Sequence, residues 1–397
     1  MQAPLPLNRK RFPWRNGNRF DLLVDGGHFF PAMLTAIKAA RHQVLLEMYL
    51  FESGTIAGEF IDALAAATAR GVQVYLLLDD FGARGLLPSD RQRLRDAGTH
   101  LTFYNPLRYG KLRRNLWRDH RKLLLVDDTV AYTGGAGITD EFAATDPLHW
   151  HDVMLAVRGP CVNDWRTAFE QAWHATQGNN RAATIPPLPQ AAAAGTANTS
   201  APPGHSTGRV TLNEPIRMEI KRSLLKRLRG AERRIWIASA YFIPSWKIRR
   251  ALYQAARQGC DVRLLLPGPH TDHPGVRHAG RRYYSKLLAA GVRIFEYQPR
   301  FLHAKILLCD TWVSIGSSNI DRWNFSWNLE ANQEVEDHGV AEQVAALLEA
   351  DFTHSREFLA GEWRQRAWHR RALERFWGWV ELWLERLSQG RRRGPRQ

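Results

Sequence analysis

A histidine and a lysine separated by one residue occur twice in this chain, each time just before an apolar run. The pairs are His120 with Lys122 and His303 with Lys305. Because side chains on a strand alternate between its two faces, we expect both members of a pair to project from the same side of a strand. An imidazole and an ammonium group then share one pocket, which suits a phosphate group.

Each pair is followed by the same features: an apolar run, an aspartate, a second apolar run and a glycine turn. The matching residues are Asp127, Gly135 and Gly137 in the first half and Asp310, Ser317 and Asn319 in the second. The second half has one residue fewer between its aspartate and its turn. We therefore expect two half-sites that are chemically unequal.

The segments around the two pairs also repeat, with strand and helix patterns in alternation. Strand-like residues 43–51 and 72–78 flank helix-like residues 56–70, and residues 234–243 and 245–257 repeat the order. This rhythm predicts the α/β class, with two repeated α/β domains related by a pseudo-two-fold axis. Both pairs then meet in one shared active site.

Composition shifts suggest where the domains begin and end. We predict a basic N-terminal segment at 1–19, a first domain at 20–177 and an Ala/Pro/Gly-rich linker at 178–208. A second domain then covers 209–360, and a Trp/Arg-rich amphipathic tail covers 361–397. The linker has too few apolar side chains to fold on its own.

The charge of the chain favours a polyanionic partner. The formal net charge is +16, which is attractive to nucleic acid and to anionic membranes alike. The three cysteines form no disulfide framework, and no Cys/His cluster has zinc-ligand spacing, so no metal is expected. With no run of about 18 apolar residues, any membrane contact is expected to be peripheral.

The duplicated pattern resembles the phospholipase D superfamily. Within it the chain looks most like the bacterial cardiolipin synthases, the B type in particular. Three fragments support this narrower likeness, at residues 150–162, 241–244 and 325–335. The resemblance covers about residues 20–360.

The resemblance implies a phosphatidyltransferase that works without a cofactor. Such enzymes move a phosphatidyl group from one phosphatidylglycerol to another, releasing glycerol, through a phosphohistidine. His120 is then the nucleophile and His303 the general acid, although the reverse order remains open. Lys122 and Lys305 supply the positive charge around the phosphate.

The resemblance also suggests roles for neighbouring residues. Glu330 lies where an acid is expected to hydrogen-bond the second motif's histidine, and Asp152 is a weaker candidate for the same role in the first half. Asn319 matches a phosphate-contacting asparagine, with Ser317 and Gly135 in the adjoining turns. Asp127 and Asp310 belong to the catalytic motif, but their position after a buried strand equally fits a turn-stabilising role.

Two other functions are open to the same residues. A hydrolytic phospholipase D, or a phosphodiesterase or nuclease, would keep the paired site and change the substrate. A lipid-binding pseudoenzyme is disfavoured by the intact histidines and lysines. We expect phosphatidylglycerol and anionic lipid as partners, with neither nucleic acid nor a protein partner, at the cytoplasmic side of the bacterial inner membrane.

The tail is unusually rich in tryptophan and arginine. A helix that lies in the membrane interface would use these aromatic side chains at headgroup depth. The alternative is a helix that packs its aromatic side chains on the catalytic core. The tryptophans predicted to contact the membrane are Trp363, Trp368, Trp377, Trp379 and Trp383.

Overall fold

The structure is a computed structural model. It describes residues 11–110, 112–145, 147–177, 185–188, 204–214, 218–321, 327–366 and 376–377. Among the helices of these residues, none is long and apolar enough to span a bilayer.

The first unit alternates strands and helices up to the first His-x-Lys pair and then becomes mainly antiparallel. Its elements are β1 (Arg15–Val24), α1 (Gly26–Ala39), β2 (Gln43–Met48), α2 (Thr55–Ala69), β3 (Gln73–Asp79), α3 (Pro88–Asp96), β4 (His100–Tyr104), α4 (Leu112–Asn115), β5 (Arg118–Asp119), β6 (Lys122–Val126), β7 (Val130–Gly134), a 3-10 turn (Asp140–Phe142), β8 (Val153–Arg158) and α5 (Cys161–Gln177).

The second unit follows the same plan with additions at its C-terminal end. Its elements are β9 (Ser206–Asn213), α6 (Glu219–Gly230), β10 (Arg234–Ala238), β11 (Phe242–Ile243), α7 (Trp246–Arg257), β12 (Asp261–Pro267), α8 (Pro274–Arg281), α9 (Tyr284–Ala289), β13 (Arg293–Tyr297), β14 (Ile306–Cys309), β15 (Trp312–Gly316), β16 (Ile320–Asp321), β17 (Asn328–Glu336), α10 (His338–Thr353), β18 (Ser355–Phe358) and α11 (Ala360–Gln365).

Apart from β11 and β16, which pair with each other, the strands of both units join one continuous sheet with matching order in its two halves. The first half runs β4-β3-β2-β6-β7-β8-β1 and the second runs β13-β12-β10-β14-β15-β17-β9, with β18 on the outer edge. In each half three strands are parallel, as βαβ connections require, and the others are antiparallel. Strands β1 and β9 pair at the centre. The predicted α/β class with two repeated domains is confirmed.

Three apolar clusters hold the layers together. Helices α1 and α2 cover one outer face of the sheet, with Phe29 and Phe60 fully buried. Helices α6 and α7 cover the corresponding face of the second unit. A third cluster contains α5, α10 and strands of both units, so the two units share a core instead of folding as separate globules.

The predicted domain boundaries differ from the packed elements by a few residues. Strand β1 begins at Arg15, inside the segment predicted to precede the first domain. Ile185 is buried in the shared core and β9 begins at Ser206, although both lie within the predicted linker. Short apolar stretches in a region rich in Ala and Pro were not recognised as parts of the core.

The His-x-Lys pairs precede regular strands and do not form them as predicted. Strand β6 begins only at Lys122, and β14 begins only at Ile306. The backbone of each histidine is hydrogen-bonded to the other unit. This contact between units interrupts the strand, and it is invisible to a pattern read within one unit.

The motif aspartates lie at the far end of these strands, away from the histidines. Asp127 follows β6, roughly 15 Å along the strand from Lys122. Its carboxylate accepts backbone N–H groups from residues 41–43 at 2.8–2.9 Å, and Asp310 accepts from residues 232–234 at 2.9–3.0 Å. Their assignment as catalytic residues is therefore wrong, because both carboxylates fix the chain that enters the first parallel strand of each unit.

Trp363 was predicted to contact the membrane, and this prediction is wrong. Its side chain is only 4% exposed and packs against Tyr284 and Phe358, with ring centroids 5.0 and 5.3 Å apart. Arg366 covers its outer face at 4.0 Å. The packed part of the second unit thus continues to Arg366. Trp368, Trp379 and Trp383 lie outside the described residues.

We expect Asp310→Ala to destabilise the fold by about 2 kcal/mol, because three backbone donors lose a charged acceptor. Burial alone would raise the pKa of Asp310, but these N–H groups outweigh it and hold the pKa below its usual value. The contribution is therefore complete at neutral pH and is lost as the pH falls through that lowered pKa. Urea unfolding at pH 7 measures the change.

Asp310→Asn is a useful second variant because asparagine tolerates the left-handed backbone found here, φ 53°. Asp96→Ala on exposed α3 is the matched control and should change stability little. Turnover per folded molecule should stay close to that of the wild type in all three. A large loss of turnover at unchanged stability would return Asp310 to the chemistry.

Candidate active site

Two short backbone pairings join the two units at the site. Strand β5 pairs with β17 of the other unit, and the N–H of His120 donates to the carbonyl oxygen of Leu329 at 2.9 Å. In the same way His151 bridges to Leu302, and the N–H of His303 donates to the carbonyl oxygen of His151 at 2.8 Å. Each His-x-Lys segment is thereby held by the unit that does not contain it.

The acidic partners of the two histidines are exchanged as well. Nδ1 of His120 contacts the carboxylate of Glu330 at 3.2 Å, and Nδ1 of His303 contacts the carboxylate of Asp152 at 2.6 Å. Each acid was predicted to serve the histidine of its own half. Each acid contacts a motif histidine, but the pairing is crossed because β5 and the 301–303 segment each lie on the other unit.

The crossed pairing fixes the chemistry of both imidazoles. An Nδ1–H that donates to a carboxylate leaves Nε2 with a lone pair, which is the form needed for attack on phosphorus or for taking a proton. Both carboxylates are fully buried, at 0% exposure. Water therefore does not compete for them, and the rings are held in one orientation.

Both motif lysines lie beside their own histidines. Nζ of Lys122 donates to the carbonyl oxygen of His120 at 2.7 Å. Nζ of Lys305 lies 3.0 Å from Nε2 of the His303 ring and also contacts the carbonyl oxygen of that residue. Both lysines are 2% exposed, so their charge is felt strongly in the pocket.

Burial and mutual repulsion lower the pKa values of the cationic groups. Burial lowers the pKa of Lys122 to about 7 and that of Lys305 to about 8, against the attraction of the two acids. Burial, reinforced by Lys305, lowers the pKa of His303 to about 4. The pKa of His120 is lowered by burial too, and Glu330 opposes the change. An incoming phosphate anion would raise all four.

The glycine turns support the two acids differently. The Ser317 hydroxyl donates to Glu330, and the N–H of Ala331 donates to that hydroxyl at 3.1 Å. At the equivalent position of the first unit, a Cβ on Gly135 would lie 2.5 Å from both oxygens of Asp152. Position 135 therefore has no room for a side chain beside Asp152, whereas Ser317 adds a hydrogen bond to Glu330.

Asn319 carries a buried donor that has no partner among the described residues. The residue is 0% exposed, and its Oδ1 accepts the N–H of Tyr241 at 3.3 Å. Its Nδ2 has no hydrogen-bond acceptor among the described residues. Because an unpaired buried donor is costly, this atom is suited to a ligand oxygen, in keeping with the predicted phosphate contact.

Aromatic side chains surround both histidines and were not identified from the sequence. The ring of Tyr49 lies 4.6 Å from that of His120, with Nζ of Lys122 at 5.0 Å over its face. His303 is enclosed by three rings at centroid distances of 5.2–5.6 Å. These belong to Phe142, Trp150 and Phe301. Only the position of Tyr49 just after a buried parallel strand could have suggested a place at the site.

A second buried cluster ties the units together behind His303. The ring of His151 is buried between the carboxylates of Asp25 at 2.8 Å and Asp351 at 3.1 Å. Burial opposes the charge of His151, but the two acids outweigh it and raise its pKa to about 9. Arg300 completes the cluster through Asp25.

Within the part of the chain that the structure describes, no group of three or more His, Cys, Asp or Glu side chains is arranged to hold a metal ion. The positive charge near the histidines comes from Lys122 and Lys305.

Comparison with known proteins agrees with this architecture. A family profile described as "Cardiolipin synthase, PLD-like domain" matches residues 33–173 and 224–353. Cardiolipin synthase A of Pseudomonas entomophila is 33% identical over 362 residues, which are 89% of this chain and 72% of that protein. Cardiolipin synthase of Alkalihalophilus pseudofirmus is 32% identical over 361 residues, which are 89% of this chain and 70% of that protein.

A solved structure shares the fold across its whole length. Phosphatidylserine synthase of Haemophilus influenzae matches with a TM-score of 0.71 at 12% identity, over 95% of this chain and 96% of that one. Two α/β units that each give a histidine and a lysine to a common site define an enzyme of the phospholipase D superfamily. Within that superfamily, the chain belongs to the cardiolipin synthase family of PLD-like proteins.

The crossed pairing predicts which histidine responds to each acid. Glu330→Gln removes a charge that supports protonation of His120, so the pKa of His120 should fall further while that of His303 changes less. Asp152→Asn should act mainly on His303. Nitrogen-15 NMR of labelled imidazoles, titrated from pH 4 to 8, follows both rings. A larger response of His303 than of His120 to Glu330→Gln would show that the pairing is not crossed.

Proposed function

We propose that this site transfers a phosphatidyl group from one phosphatidylglycerol to the terminal hydroxyl of a second, making cardiolipin and releasing glycerol. The chain is a phosphatidyltransferase of the cardiolipin synthase type by family. The observation that supports the reaction best is the crossed site itself. Two imidazoles with carboxylate-bound Nδ1 atoms and two buried lysines surround one position for a phosphodiester.

The first half-reaction forms a phosphohistidine. Nε2 of His120 attacks phosphorus, so that a P–N bond forms as the P–O bond to glycerol breaks. His303 gives a proton from its Nε2 to the departing oxygen. Lys122 and Lys305 stabilise the charge that grows on the phosphoryl oxygens, and Nδ2 of Asn319 offers a further donor.

The second half-reaction reverses these roles at His303. The terminal hydroxyl of the second phosphatidylglycerol gives its proton to Nε2 of His303 and attacks phosphorus. The P–N bond to His120 breaks, the new P–O bond completes cardiolipin, and the free imidazole is restored. Transfer prevails over hydrolysis when this hydroxyl occupies the place where water would attack.

For His303 to act as the acid it must gain a proton when substrate binds. Its pKa of about 4 leaves it neutral at pH 7, and Lys305 occupies the side of Nε2. A phosphate anion would draw the ammonium of Lys305 to itself and raise the pKa of His303. The reverse order, with His303 as the nucleophile, would instead require His120 to gain a proton, and burial lowers the pKa of His120 as well.

We also place the enzyme at the cytoplasmic face of the bacterial inner membrane as a peripheral protein. A lipid substrate that stays in the bilayer and a net charge of +16 both favour an anionic surface. The finer likeness to the B type rests on the fragments at 150–162, 241–244 and 325–335.

Purified protein and acyl-labelled phosphatidylglycerol in detergent micelles should give cardiolipin and glycerol, with phosphatidic acid as a minor product. Activity should survive excess EDTA, because the two lysines supply the positive charge. Thin-layer chromatography of the lipids measures the ratio. Phosphatidic acid as the main product would establish the hydrolytic alternative, and loss of activity in EDTA that magnesium restores would contradict the role given to the lysines.

Rapid denaturation at neutral or mildly alkaline pH, which preserves the acid-labile P–N bond, followed by peptide mass spectrometry should find the phosphatidyl group on His120. His120→Ala and His303→Ala should each lower turnover by several orders of magnitude, since attack and proton transfer both fail. Asp310→Asn, which alters a distant turn, is the control for folding. A phosphatidyl group on His303 would reverse the two roles.

The tail should bind anionic membranes. A variant ending at Arg366 keeps the buried Trp363 and should stay folded, yet lose binding to phosphatidylglycerol vesicles in a flotation assay. It should keep more activity on micelles than on vesicles. Trp363→Ala is the matched control and should lower stability without selectively weakening vesicle binding. Unchanged flotation of the truncated chain would place the contact elsewhere, with the exposed Phe81 and Tyr109 as the next surface to vary.

A further inference from the structure

A tyrosine and an aspartate lie beside the catalytic groups of the second unit and have no role in the steps above. The hydroxyl of Tyr241 donates to Oδ2 of Asp272 in the loop before α8. Asp272 raises the pKa of Lys305, against the stronger effect of burial, which places its charge within reach of that ammonium. The N–H of Tyr241 donates to Asn319, whose Nδ2 is the unpaired donor described above.

The first unit has no counterpart of this polar group. Phe51 bridges to Ile138 as Phe242 pairs with Ile320, so Leu50 and Gly137 occupy the positions of Tyr241 and Asn319. A Cβ on Gly137 would lie 2.8 Å from that of Leu50, which leaves no room for an amide there. Asp272 lies five residues beyond the end of β12. The residue at the same distance beyond the end of β3 in the first unit is Arg84.

The chemistry of the pair suits a ligand with neighbouring hydroxyl groups. With its proton directed at Asp272, the Tyr241 oxygen has lone pairs to offer, and the Asp272 side chain remains 23% exposed to solvent. Two acceptors side by side match two hydroxyl donors on adjacent carbons. A carboxylate also repels a second phosphate, so this place is better suited to an alcohol than to the phosphodiester.

We propose that Tyr241 and Asp272 form a subsite for a vicinal diol. This subsite holds the glycerol that leaves phosphorus in the first half-reaction and the glycerol headgroup that attacks phosphorus in the second. The proposal rests on the transferase function and names where its alcohols bind. Because His303 protonates the leaving oxygen and deprotonates the attacking one, the two alcohols must occupy the same position one after the other. A leaving glycerol held by its two free hydroxyls presents the oxygen on its third carbon to His303. The attacking headgroup is held there by its inner hydroxyl, so that its terminal hydroxyl can give its proton to His303 in the place of water.

Partition of one intermediate among competing alcohols tests the subsite. The full chain is incubated in micelles with acyl-labelled phosphatidylglycerol and equal concentrations of deuterated glycerol and 1-propanol. Wild type should form more deuterated phosphatidylglycerol than phosphatidylpropanol. Tyr241→Phe and Asp272→Asn should each reduce this preference by about tenfold, the factor expected for one lost hydrogen bond. Because both products arise from the same phosphohistidine, any general effect of Asp272 on Lys305 cancels in the ratio.

Arg84→Gln is the matched control at the corresponding place in the first unit, and it should leave the ratio unchanged. An unchanged ratio in both Tyr241→Phe and Asp272→Asn would overturn the proposal. So would a wild-type preference for ethanolamine over glycerol, since that would show the carboxylate to be an ammonium site.

A second measurement keeps the subsite separate from the transferase assignment. Release of glycerol from phosphatidylglycerol and of propanol from phosphatidylpropanol is compared in a single turnover with enzyme in excess and no added alcohol, because the leaving alcohol uses the same place. Wild type should cleave phosphatidylglycerol faster, and the two variants should lose the difference. If the enzyme proves to be a hydrolase, this difference still supports the subsite, and its absence in wild type rejects it.

Discussion

The site depends on a backbone exchange between the two units. His120 is hydrogen-bonded to the strand that carries Glu330, and His303 to the segment that carries Asp152. Neither unit alone can orient its own imidazole, because the carboxylate that binds Nδ1 comes from the other one. A two-fold repeat is therefore a requirement of the chemistry, and the shared core with α5 and α10 keeps the two halves in register.

The sequence was informative where the signal is local. Apolar runs and helical periodicity predicted the strands and helices of both units, and the duplicated spacing predicted the histidines and lysines that meet. The partner of each acid was not predictable in this way, because contacts between repeats have no fixed sequence separation. Asp127 and Asp310 share a motif with the histidines, yet four strand residues separate each aspartate from the lysine of its motif. Trp363 resembles the rest of an aromatic tail until its packing on Tyr284 is seen.

The two halves have diverged beneath the histidines. Arg121, between His120 and Lys122, binds Glu47 at 2.6 Å and Asp119 at 3.2 Å, and all three are buried. The sheet register puts Ala238, Leu302 and Ala304 at the same places in the second unit. A buried ionic cluster loses more than an apolar one when a member is removed, because a charge is then left unpaired. The first histidine thus has the more polar support and the second the more apolar one.

This asymmetry fits different proposed roles for the two histidines. A nucleophile must keep one position through both half-reactions, and an ionic cluster under His120 provides directional restraint. A general acid that later becomes a base must change its charge, and the pKa of about 4 shows how strongly the resting pocket of His303 opposes that charge. In the proposed mechanism, a bound phosphate would lift this opposition by drawing Lys305 away, so that His303 would become an acid only when there is a leaving group to protonate. The aromatic rings around His303 then limit the water that could take the place of the alcohol.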